Sequence, residues 1–201
     1  MATPLTTAMV LLLLLAALLL RTHPTDVSTV VAWASTNLHN LAHHPVAAML
    51  ASAFVVPGSL FPNVVIVAVS FAVLERAVGA GRTAVIALSG HAIATLLTEY
   101  GADLGAQWHL LADTSAQRSD VGVSYVMYGV LAASVLSLTA RAKLVGVLIV
   151  GLSVLVPFVL SPGMTTTGHV LSVAIGVATM TLMQRRDRRR PSRERGGRAV
   201  R

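Results

Sequence analysis

The chain has 201 residues, 55% of them hydrophobic and only 11% charged, with a mean hydropathy of +0.75; this composition points to an integral membrane protein and away from a soluble globule. Cysteine is absent, which excludes disulfides, thiolate metal sites and a cysteine nucleophile. The net charge of +7 lies in the tail: residues 185–201 hold nine Arg against Asp187 and Glu194, whereas residues 1–184 carry six basic and six acidic side chains.

Six apolar runs are long enough to cross about 30 Å of hydrocarbon, at 4–20, 58–75, 83–99, 121–140, 143–160 and 165–184. The expected fold is all-α, a six-transmembrane-helix bundle over residues 1–184 followed by a disordered Arg-rich tail at 185–201. The first run, with its core LLLLLAALLL, lacks a basic n-region and a small-x-small cleavage site, so it reads as a retained span and not a signal peptide. Residues 22–57 form a long connection mixing apolar stretches with Trp33, His39, His43, His44 and Pro45, which reads as short helices lying in the outer interface or half inserted. His39 and His43 have metal-compatible i, i+4 spacing, but no third ligand is evident, and neither metal nor cofactor is expected.

Arg76 and Arg82 flank the turn between the second and third runs, Arg141 and Lys143 the next turn on that side, and the Arg-rich tail follows the sixth run. These basic loops all fall on one face, predicting a multi-pass cell-membrane protein with both termini cytoplasmic. The tail is expected to anchor on anionic lipid headgroups; it has no aromatics for base stacking, so nucleic acid is not an expected partner. Glu75 beside Arg76 reads as a helix-end ion pair, and His91, mid-span in the third run, as a hydrogen-bonded packing residue.

Three polar side chains begin spans that run in the same direction: Asn63, Ser124 and His169. Ser124 lies 17 residues before Arg141 and His169 lies 16 before Arg185, which at about 1.5 Å per residue puts them within about 2 Å of one depth. A hydroxyl, an imidazole and a carboxamide at one level suit a nucleophile, a general base and an oxyanion donor. Gly122 before Ser124 permits a tight loop, Tyr128 one turn beyond shares its helix face, and Ser172 and Gly176 give the His169 face small-xxx-small spacing for close helix packing.

With Gly122-Val123-Ser124, Tyr128, the His169/Ser172/Gly176 rhythm and Asn63 placed 12 residues before Glu75-Arg76, the chain resembles the rhomboid intramembrane serine proteases over most of residues 46–184. The resemblance implies a Ser124–His169 dyad, a Tyr128 packed on the histidine, and Asn63 with Gly122 serving the oxyanion. It also marks departures. Ser59 stands where the family has a histidine, Tyr125 where it has the glycine after the nucleophile, and the Trp-Arg pair of the first loop is missing. The expected function is an intramembrane serine protease cutting transmembrane segments near the outer leaflet. The alternative is a pseudoprotease that binds or escorts membrane proteins, favoured by Tyr125 and Ser59.

Overall fold

The computed structural model describes residues 2–56, 58–108 and 121–189. Among them the regular structure is helical, in the order α1 (Pro4–Thr22), a 3-10 turn (Pro24–Asp26), α2 (Val27–Ala34), α3 (Leu38–His43), α4 (Pro45–Ser52), α5 (Leu60–Val78), α6 (Ala80–Gln107), α7 (Val123–Val135), α8 (Ala140–Leu160) and α9 (Met164–Arg189). Five of these, α1, α5, α6, α8 and α9, are long and apolar enough to cross a membrane.

The fourth expected span differs from its sequence reading. The apolar run at 121–140 becomes a helix of 13 residues, and the chain turns at Ser137 and Leu138 before α8 begins. At about 1.5 Å per residue α7 is about 20 Å long, short of the hydrocarbon thickness. It is the central element of the bundle, with ten of its residues buried. The sixth expected span is longer than its apolar run, because α9 continues as helix through Arg185 and Arg186 to Arg189. The rest of the expected tail, 190–201, lies outside the described residues.

Leu13, Val67, Phe71, Leu74, Ile86, Val126, Val130 and Met180 fill the core between α1, α5, α6, α7 and α9. By contrast α8 buries only Val150 and Val154, and its Leu144, Ile149, Leu152 and Leu155 are exposed, as are Leu11, Leu15 and Leu18 of α1. Such outward leucines suit hydrocarbon, which is as apolar as they are.

Where α6, α7 and α9 cross, the packing is backbone against backbone. A Cβ added to Gly90 would lie 3.4 Å from Gly129 Cα, one added to Gly129 would lie 3.0 Å from Ser172 Oγ, and one added to Gly176 would overlap the Gly129 carbonyl. The Ser172 hydroxyl donates across this crossing to the Tyr125 carbonyl. Small residues thus let three helices approach closely where the hydrophobic effect offers no drive.

Two polar ties fix the end of the bundle that carries the α1 N-terminus. Glu75, buried, accepts the Leu5 and Thr6 amide N–H groups at 2.9 and 2.8 Å and the Thr6 hydroxyl at 2.7 Å. An anion there satisfies N–H groups that no helix can pair internally. The expected pairing with Arg76 is therefore corrected: neighbouring residues on a helix point apart, and the carboxylate caps α1 instead. Arg82 at the start of α6 forms a two-pronged ion pair with Asp187 of α9, at 2.6 and 2.8 Å.

Candidate active site

Ser124 is the second residue of α7, and Gly122 is its N-cap. The first bonds to the Gly122 carbonyl come from the Tyr125 and Val126 N–H groups, so the Val123 and Ser124 N–H groups precede the helical ladder and project from the positive end of α7. His169 lies one turn into α9, and its Nε2 is 2.9 Å from Ser124 Oγ. Both residues are half-buried. For the imidazole to accept the serine proton, Nε2 must be bare and Nδ1 protonated, a tautomer assigned from chemistry. Among the described residues no carboxylate hydrogen-bonds to His169.

Two tyrosines of α7 hold the imidazole. The Tyr128 ring lies 4.5 Å from that of His169, centroid to centroid, at 41°. The Tyr125 ring meets the same imidazole edge-on, at 5.7 Å and 84°. Tyr125 is only 1% exposed, and its ring tip occupies the space that a Cβ on Gly168 would need. The bulk of Tyr125, which stands where the family has a glycine, is thus turned into the α7–α9 interface, about 100° around the helix from Ser124.

Asn63 and Ser59 are not hydrogen-bonded to the pair. Asn63 Nδ2 donates at 2.8 Å to the carbonyl of Ser59, the residue just before its helix, and Ser59, exposed, does not cap α5 through its side chain. Ser172 and Gly176 lie at the three-helix crossing, one and two turns below His169.

A second Ser–His contact lies elsewhere. Ser52 Oγ of α4 is 3.2 Å from His91 Nε2 of α6, but these residues are 0% and 3% exposed, so substrate cannot reach them. The sequence reading gave no role to Gly90 or Gly129. Their signal was available as Gly90-x-x-x-Ala94 and Gly129-x-x-x-Ala133, the same small-residue spacing recognised in the sixth run.

A family model described as rhomboid-like protein matches residues 2–189. The chain belongs to the rhomboid-like family. No curated protein and no solved structure matches it. The match takes the family relation beyond residues 46–184 to include α1 and the short helices α2 and α3. Family membership makes this an apolar, multi-pass helical protein whose environment is the lipid bilayer.

Proposed function

We propose that this rhomboid-like protein is an intramembrane serine protease that cleaves transmembrane segments. The observation that carries the reading is the 2.9 Å contact between Ser124 Oγ and His169 Nε2, on a half-buried pair beside the N-terminus of α7. Ser124 Oγ attacks the scissile carbonyl while its proton passes to His169 Nε2. The resulting oxyanion faces the Val123 and Ser124 N–H groups, with Gly122 shaping the loop and Asn63 and Ser59 as further donors once their side chains turn from α5. His169 then gives the proton to the leaving amine, and water hydrolyses the acyl-enzyme by the same route. Tyr128 and Tyr125 keep the imidazole in register, a task that a carboxylate performs in a triad.

In this reading α7 is the fourth of six membrane-inserted helices, both termini are cytoplasmic, and substrate is cut near the outer leaflet. Residues 1–184 form the membrane domain, and the basic end of the chain binds anionic headgroups.

A fluorophosphonate probe applied to the full chain in membranes tests the activity. Labelling should require both Ser124 and His169; labelling that survives Ser124→Ala and His169→Ala would remove the protease reading. The second reading, a pseudoprotease that escorts membrane proteins, is favoured by one observation: the Asn63 amide donates to the Ser59 carbonyl at the start of its own helix, and not toward Ser124. It predicts no labelling of the wild-type protein.

A further inference from the structure

We propose that His91 is a positioning residue that ties α4 to the N-terminus of α7 and so holds Ser124 within reach of His169; in its catalytic consequence this rests on the protease reading. His91 lies in the middle of α6, 3% exposed. A buried ionisable side chain within a membrane span is costly unless it is used.

Each ring nitrogen faces a different element. Nε2 is 2.9 Å from the Met49 carbonyl and 3.2 Å from Ser52 Oγ. A carbonyl only accepts, so Nε2 carries the hydrogen. The Met49 carbonyl belongs to the last turn of α4, whose carbonyls lack helical partners. The Ser52 hydroxyl donates to the same carbonyl at 3.1 Å, which leaves its lone pairs to receive Nε2–H. His91 thus caps the end of α4 from a neighbouring helix.

The other nitrogen, Nδ1, is buried with no hydrogen-bond partner among the described residues. It faces Gly122: a Cβ there would lie 2.7 Å from Nδ1 and would overlap His91 Cε1. The Cε1–Nδ1 edge of the ring therefore packs against the N-cap of α7, two residues before Ser124. Gly122 lacks a side chain where the imidazole needs the room, so ring and loop fix each other's position. On its other side α4 exposes Val46 and Leu50, at 69% and 54%. The imidazole is consequently a link in a chain: α4 carbonyl, His91, Gly122, Ser124.

The test uses the full chain in liposomes, with fluorophosphonate inactivation and thermal unfolding as readouts. His91→Leu keeps bulk but loses the donor, and should lower the saturating inactivation rate by about tenfold to a hundredfold. The half-saturating concentration should stay within about threefold. His91→Gln, whose amide can still donate to the Met49 carbonyl, should recover the rate to within about threefold. Gly122→Ala should slow the rate and lower Tm on its own, and cost nothing further in a His91→Ala background, where the methyl has room. The proposal is overturned by a folded His91→Leu protein that reacts at the wild-type rate, or by Gly122→Ala and His91→Ala effects that simply add. If His91→Leu does not fold, the glutamine variant and the Gly122/His91 pair decide in the same way. If the wild-type protein is never labelled, the protease reading fails by itself. The unfolding data then decide this inference, non-additive shifts supporting the His91–Gly122 contact and additive ones overturning it.

Discussion

Gly176→Ala tests whether the dyad depends on the backbone crossing below it. The added Cβ would overlap the Gly129 carbonyl oxygen and stand 2.8 Å from Gly129 C, against an ordinary carbon–carbon contact of about 3.5–4.0 Å. Neither partner is a flexible side-chain tip, so α7 and α9 must part by about 0.7–1.2 Å. Overpacking of this kind costs about 1–3 kcal/mol, a fall in Tm of about 2–12 °C for a chain of this size. Ser124 and His169 lie five and seven residues before Gly129 and Gly176, so much of that separation reaches them. The 2.9 Å contact would open to about 3.6–4.1 Å, beyond hydrogen-bond distance. A misplacement of about 1 Å is worth about a hundredfold in rate. The assay is the second-order rate of fluorophosphonate labelling, measured below the variant's own Tm so that unfolding does not contribute. A Gly176→Ala protein that melts and labels like wild type would show that the pair does not depend on this crossing, the added methyl having been absorbed without moving either helix.

Three further substitutions probe other contacts. Glu75→Ala removes the acceptor of three hydrogen bonds at the α1 N-terminus and should cost about 1–2 kcal/mol, or about 2–8 °C in Tm, by thermal unfolding in detergent. Its labelling rate should stay within about threefold of wild type, because Ser124 lies far along the bundle from that cap. Asp187→Ala breaks the Arg82 pair, whose side chains are 44% and 45% exposed; Tm should move by less than about 2 °C, because solvent screens such pairs. Tyr128→Ala should slow labelling by about tenfold, and Tyr128→Phe by less than about threefold, because the ring face and not the hydroxyl packs on His169.

The Ser124–His169 contact agrees with the similar depths read from the sequence, although α7 and α9 do not both run as that count assumes. Counting depth back from Arg141 and Arg185 assumes that both helices run unbroken to one basic plane. In the structure α9 is continuous from His169 through Arg185, but α7 stops at Val135. The two arginines therefore do not mark equal helical rises, and side-chain packing rather than counting explains why Ser124 and His169 meet. Periodicity could not reveal this, because a buried helix and a lipid-facing one are equally apolar. The short helices within 22–57 were legible from their mixture of polar breaks and apolar stretches. The partners of Glu75 and His91 were not, since Thr6 and Met49 are 69 and 42 residues away in the chain.

Tyr125 shows how a departure from a family motif acquires its meaning from geometry. A bulky residue after a nucleophile suggests obstruction when only the order of residues is known. A helix, however, turns each residue about 100° from the last, so a side chain following Ser124 need not share its direction. Here it enters the α7–α9 interface, where Gly168 has no side chain to meet it and its ring stands nearly perpendicular to that of His169. The two positions are thus linked: the space left free at Gly168 is the space that Tyr125 fills. A side chain at 168 would overlap the tip of the tyrosine ring and drive it from this seat. The tolerance of a tyrosine beside Ser124 therefore depends on a glycine 43 residues away, one position before His169.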